Sequence, residues 1–182
     1  MKIYLVRHGE IKSNKQKVYA GWSAESITEE SVVQIQEAGK YLASKGVEAI
    51  YSSPLNRAVQ TARIIKDITK VPFKIENDLI ELRMGPWEGK SETEIECAYR
   101  NEWHIWSTRP ADLVLPGRET LQELQQRVLR VFDKIKKSHL LPVVLVTHVA
   151  LIRVALLYIR GCELNAYKKI YVPNAEPFEV DI

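Results

Sequence analysis

The chain of 182 residues carries 26 basic and 23 acidic side chains, a net charge of only +3. With the basic residues scattered, this balance gives no footprint for nucleic acid or an anionic membrane surface, and the length suits one sizeable core rather than two. Cys97 and Cys162 stand far apart without Cys-x-x-Cys or Cys/His spacing, which argues against a disulfide frame or zinc site and for thiols in a reducing compartment.

Residues 3–6 are almost all apolar, as in a parallel strand covered on both faces. This run is too short, and too soon interrupted by Arg7, for a signal peptide or a spanning helix, so a soluble cytoplasmic protein is expected. Residues 8–27 read as a polar loop. Thr28 is placed to cap a helix with Glu29 and Glu30 in its favoured first turn, running to Lys45 before Gly46. Residues 49–51 form a short strand. Ser53 and Pro54 then offer an N-cap and an N1 proline to a helix whose apolar stripe is Leu55, Ala58, Val59, Ala62, Ile65 and Ile68.

A strand over 73–75 leads into a loop rich in Gly and Pro at 81–89. The stretch to Trp106 reads as one helix carrying Tyr99, Trp103 and Trp106, aromatics that suit either the core or an apolar or ring-bearing ligand. Pro110 to Gly117 breaks it. Thr120 and Glu123 form a capping box for a helix to Lys137 that buries Leu121, Leu124, Val128, Val131, Phe132 and Ile135. A buried strand over 142–147, an apolar helix over 151–158 and one or two edge strands within 168–182, interrupted by Pro173 and Pro177, complete the chain. No internal repeat or low-complexity segment occurs. Strand alternating with helix across residues 1–182 predicts a single three-layer α/β/α domain with a mostly parallel central sheet.

In such sheets, side chains just past the strand carboxyl ends share one crevice. Arg7 and His8 after the first strand, Arg57 at the start of the following helix and His148 after a later strand are expected to converge there. Arginine offers a fork of donors matched to phosphate oxygens and cannot act as a base, so Arg7 and Arg57 read as an anion clamp. A neutral imidazole beside such cations has a depressed pKa and is a competent nucleophile toward phosphorus. The second histidine would help spread charge over the phosphoryl oxygens, and a carboxylic acid such as Glu81 would protonate the departing alkoxide. His104 and His139 are expected on the surface.

These residues resemble the histidine phosphatase superfamily, the phosphoglycerate mutase-like proteins, over nearly the whole chain. The likeness rests on Arg7-His8-Gly9-Glu10 and Asn14; on Tyr51-Ser52-Ser53-Pro54-Leu55-Asn56-Arg57-Ala58-Val59-Gln60-Thr61-Ala62; on Leu79-Ile80-Glu81 with Gly85-Pro86-Trp87-Glu88-Gly89; and on Val146-Thr147-His148. The resemblance implies that His8 becomes a phosphohistidine and that Arg7, Arg57 and His148 bind the phosphoryl group. It further implies help from Asn14, Gly21 and the backbone of Val149, and Glu81 as general acid, then base. It calls for no cofactor or metal and for a small-molecule phosphomonoester as partner, with no nucleic acid or membrane, and leaves a homodimer open. α-Ribazole 5'-phosphate, phosphoserine or a range of esters would suit the short format.

Departures from the family pattern are Val149 in place of a glycine, Ala24, Ser26 and Ser31 in place of an aspartate, a proline and a glycine, and Arg118 within Pro116-Gly117-Arg118-Glu119. Hydrolysis is expected over mutase chemistry, because residues 89–116 are short and offer only Arg100 and Arg109 as anchors for a substrate carboxylate. A metal site on His8, Glu10 and His148 would sit among repelling arginines, and the Gly-x-Gly-x-x-Gly of a dinucleotide fold is absent. A non-catalytic phosphate-sensing or protein-binding member of the fold is the alternative of another class.

Overall fold

The computed structural model describes residues 1–138 and 140–182, so the surface expectation for His139 lies outside the described residues. Strands β1 (Lys2–Arg7), β2 (Ala49–Ser52), β3 (Phe73–Ile75), β4 (Val143–Thr147) and β5 (Pro177–Asp181) form one sheet in the order β3-β2-β4-β1-β5. All pairings are parallel except β1 with β5. Alternation along the strands separates two apolar layers. Ile3, Leu5, Val143 and Leu145 face one core, with helices α6 (Leu121–Lys136) and α7 (Val149–Ile159). Tyr4, Val6, Val144 and Val146 face the other, with α2 (Ser31–Ser44) and α3 (Asn56–Thr69). Both faces of β4 are buried, so its continuous apolar run is what a covered parallel strand requires.

The capping box of α6 forms as expected, with Thr120 Oγ1 accepting from the Glu123 amide at 3.2 Å and a Glu123 carboxylate oxygen accepting from the Thr120 amide at 2.8 Å. All six apolar residues of its stripe are buried. Each contributes roughly 1.5–3 kcal/mol of transfer free energy before the entropy cost of ordering.

Several expectations are corrected. The polar loop contains a short helix α1 (Lys12–Gln16), because Asn14 Oδ1 accepts from the Ile11 amide at 3.2 Å while buried Ile11 pairs with Ile27. Thr28 does not cap α2 with its side chain; its carbonyl accepts from Ser31, and the helix starts there. Nor does Pro54 open α3, which begins at Asn56. The helix expected up to Trp106 is two, α4 (Glu92–Ala98) and α5 (Arg100–Thr108), broken at Tyr99 (φ −134°, ψ 52°). The break lets Ile95 and Trp106 both reach the core. The tail supplies one strand, β5, within the one or two expected; Pro177 is its first residue at the sheet edge, where a missing N–H is tolerated, rather than an interruption. Residues Leu164–Lys169 form a 3₁₀ turn, so Lys168 and Lys169 lie outside any strand.

Candidate active site

The register of the two central strands builds the site. Arg7 pairs with Thr147, so the next residue of each chain segment, His8 and His148, leaves the sheet beside the other. The His8 amide donates to the Thr147 carbonyl at 3.0 Å, and the two imidazole rings lie 5.2 Å apart. On the other side of β4, Ser52 pairs with Val146 and the Ser53 amide continues the ladder to the Val146 carbonyl at 2.9 Å. Two residues into α3, counting from its start, stands Arg57.

His8 is buried and both ring nitrogens are engaged. Nδ1 lies 2.7 Å from the Gly9 carbonyl, an acceptor, and therefore carries the proton. Nε2 accepts from Arg57 Nε at 3.2 Å and therefore carries a lone pair. Burial, then the charges of Arg57 and Arg7, hold the imidazole well below its ordinary pKa. His148 is likewise held neutral, by burial first and then by His8 and the arginines. Its Nε2 lies 2.7 Å from Ser53 Oγ, while Nδ1 has no hydrogen-bond partner among the described residues.

Arg57 is buried and triply anchored, since Nη1 donates to the Ser23 carbonyl at 3.0 Å and Nη2 to that of Gly21 at 2.6 Å. Gly21 sits at φ +52°, and a Cβ there would lie 2.1 Å from a Glu88 carboxylate oxygen, so a larger residue would be strained and would displace the Glu88 side chain. The loop is held in turn by Glu25, which accepts from the Ser13 amide and hydroxyl and from Ser23. Gly9 passes close to α2, where a Cβ would meet Ile35 at 2.5 Å, and its amide donates to Thr61 Oγ1 at 2.9 Å. Arg7 donates Nη1 to the Val172 carbonyl at 2.8 Å, while its Nε is unpartnered among the described residues.

Glu81 is buried at the foot of the same cavity, and burial raises its carboxyl pKa against the opposing Leu82 amide, Arg57, Arg7 and Arg127. Its backbone is fixed by Trp22 Nε1, which donates to its carbonyl at 2.8 Å. Arg127, paired with Glu119 at 2.7 Å, ties down the preceding turn through the Asp78 and Ile80 carbonyls. A site with a neutral imidazole, a clamp of two guanidiniums and a carboxyl biased toward its protonated form suits transfer of an anionic group.

The cavity has a volume of about 900 Å³, and its walls include Arg7, His8, Asn14, Gly21, Arg57, Glu81 and Val149. His148 is fully buried beside His8 and is not among the wall residues. Asn14 commits its amide oxygen to Ile11 and to Asn174 Nδ2 at 3.1 Å, leaving its amide nitrogen for a ligand. Val149 opens α7, so its backbone N–H lies at the electropositive helix end.

Four partners escaped the sequence reading. Ser53, Thr61 and Asn174 orient the site through hydrogen bonds, and Arg153 enters the cavity wall from α7. Ser53 and Thr61 lay within the quoted second motif but carried no distance information, while Asn174 is nearly the whole chain away from His8, whose carbonyl it binds at 2.9 Å. The anchors Arg100 and Arg109 are exposed and do not line the cavity, Arg109 pairing instead with Asp112 at 3.6 Å. Of the three aromatics only Trp106 reaches the wall; Tyr99 and Trp103 pack around Trp87 in the core. His104 is exposed, as expected. Among the described residues no group of three or more His, Cys, Asp or Glu could hold a metal ion, and no helix is long and apolar enough to cross a membrane.

The fold is a five-stranded, mostly parallel sheet flanked by helices, with paired histidines and arginines at its carboxyl edge. The chain belongs to the histidine phosphatase superfamily (branch 1), whose model matches residues 3–182. It is 27% identical over 176 residues to phosphoserine phosphatase 1 of Hydrogenobacter thermophilus, covering 96% of this chain and 83% of that protein. It is 33% identical over 138 residues to a 2,3-bisphosphoglycerate-dependent phosphoglycerate mutase of Parvibaculum lavamentivorans, covering 72% of this chain and 65% of that one. Among solved structures, Bacillus stearothermophilus YhfR superposes with a TM-score of 0.92 at 25% identity, covering all of this chain and 91% of that one.

Proposed function

We propose that residues 1–182 act as one phosphomonoesterase domain that works through a phosphohistidine on His8. The observation that carries this reading is the double engagement of the His8 ring, which leaves an Nε2 lone pair beside Arg57 in a buried, cationic pocket. The substrate phosphoryl group lies among Arg7, Arg57, His148 and the Val149 amide, with Asn14 and the Gly21 loop shaping its place. Nε2 attacks phosphorus; the N–P bond forms as the ester P–O bond breaks, and the Glu81 carboxyl gives its proton to the leaving oxygen. The Glu81 carboxylate then takes a proton from water as that oxygen attacks phosphorus. Cleavage of the N–P bond releases inorganic phosphate and returns neutral His8.

The test is chemical trapping. A phosphorylated substrate should leave an acid-labile, alkali-stable phosphate on His8, with His8→Ala inactive and wild-type turnover persisting in EDTA. Full activity of His8→Ala would end this reading, and loss in EDTA restored by a divalent metal would favour a metallohydrolase. Phosphate binding without turnover in the wild type would support a sensing or docking member instead.

The kinship to a phosphoglycerate mutase favours a second reading, in which the phosphoryl group returns to the substrate rather than going to water. Exposed Gln16, Lys17, Glu92 and Thr93 line the cavity mouth, which gives water a path to the intermediate and supports hydrolysis. Phosphate release measured beside a mutase-coupled assay decides between them; mutase turnover exceeding hydrolysis would reverse the assignment.

A further inference from the structure

The Glu81 carboxyl is held by its own backbone. The peptide unit joining Glu81 to Leu82 donates its N–H to Glu81 Oε1 at 2.7 Å. The carbonyl of that same unit accepts from Trp22 Nε1 at 2.8 Å and from Arg127 Nη2 at 3.4 Å. A peptide unit is a rigid plane, so fixing its carbonyl end also fixes the N–H end that carries the carboxyl. A carbonyl-type oxygen is a better acceptor than a hydroxyl, so the amide holds Oε1 in that form and leaves the acid proton to Oε2.

Core packing does not account for Trp22. Its indole is 43% exposed, and it lines a cleft with Ile80, Arg83 and Arg127 that is separate from the cavity around His8. Its chain neighbours hold the phosphoryl clamp instead, for the Gly21 and Ser23 carbonyls accept from Arg57 Nη2 and Nη1. Three consecutive residues therefore grip Arg57 at both flanks and the Glu81 carbonyl from the middle. An acid is useful only where its proton meets the leaving oxygen, and a displacement of about 1 Å can cost about 100-fold in rate.

We propose that Trp22, assisted by Arg127, is a positioning residue for the acid: it fixes the plane of the 81–82 peptide, so that the Glu81 proton is carried on Oε2 at a set offset from Arg57. The proposal rests on the phosphomonoesterase reading. Trp22 touches no substrate and acts through Glu81, so it matters where the leaving oxygen needs a proton and little where it does not.

Two esters test this: propyl phosphate, whose alkoxide needs the proton, and p-nitrophenyl phosphate, whose phenolate does not. Trp22→Phe keeps a ring and removes the donor. It should lower kcat/KM for propyl phosphate by about tenfold and for p-nitrophenyl phosphate by less than about twofold. Arg127→Lys, which keeps a charge for Glu119, should shift the ratio of the two in the same direction. Placed in a Glu81→Gln background, Trp22→Phe should cost propyl phosphate turnover nothing further, because the side chain it positions no longer carries an acid proton. Equal losses on both esters, no loss on either, or a tenfold loss retained in the Glu81→Gln background would overturn this inference and leave the esterase reading standing. Phosphate release from neither ester in the wild type would overturn the esterase reading itself. Should Trp22→Phe fail to fold, Arg127→Lys is judged by the same ratio and the same Glu81→Gln background.

Discussion

Arg57 donates its Nε–H to Nε2 of His8 across 3.2 Å, a contact between two groups that would repel if both were charged. It is possible only with a neutral imidazole, so the same arginine that would hold the substrate's anion also selects the histidine form able to attack it. Arg57→Ala should therefore lower kcat/KM by about 100- to 1,000-fold or more. Arg57→Lys should recover little, since one ammonium cannot serve His8, Gly21 and Ser23 together. Steady-state kinetics on one ester would check this, and near-wild-type activity of the lysine variant would contradict it.

Glu81 is held toward its protonated form by burial, while His8 is held toward its neutral form. Turnover needs both, so the rate should fall on the acid side as His8 protonates, below the ordinary imidazole range. On the alkaline side it should fall as Glu81 ionises, above the ordinary carboxyl range. Glu81→Gln should slow alkyl phosphates by about 100- to 10,000-fold and p-nitrophenyl phosphate far less, because its leaving group needs no proton. Equal losses on both substrates would place the acid elsewhere, with Glu10 and Glu88 as the next candidates.

The Ser53 hydroxyl receives the Leu55 amide at 3.3 Å and lies 2.7 Å from His148 Nε2, so its own proton is free for that nitrogen. With that proton given to Nε2, the His148 proton would sit on Nδ1 and would serve the proposed mechanism as a donor to a phosphoryl oxygen. Ser53→Ala should reduce kcat by about 3- to 10-fold with a smaller change in KM, and Ser53→Thr should restore it. A uniform loss in both variants would point to packing.

Buried neutral His8 and His148 bind fewer protons folded than unfolded once the pH drops below about 6.5, the unperturbed imidazole pKa. Stability should therefore decline as the pH falls from there toward their depressed folded values. Inorganic phosphate or vanadate at about 100 times its Kd should contribute about 2.7 kcal/mol by mass action. For a chain of this size that raises Tm by roughly 5–10 °C. Thermal melts across pH with and without the anion would show both effects; an anion-independent Tm would argue against the clamp.

The α6 capping box and its apolar stripe, the strand runs at β1 and β4 and the order of helix and strand were legible because each depends on residues a few positions apart. His8, Arg57 and His148 were legible for a similar reason: a side chain just past a parallel strand has one crevice to enter. The break at Tyr99, the late start of α3 and the single strand of the tail depended on contacts that local pattern does not carry. The Ser53 hydroxyl was read as a helix cap and serves His148 instead, because the β2–β4 register brings it there. No local pattern marks Lys168 or Arg153 as belonging to the cavity. Only packing of α7 and the 164–169 turn against Tyr167, Trp103 and Trp106 brings the two to one cavity wall, since the distance between side chains remote in sequence is set by how the layers close.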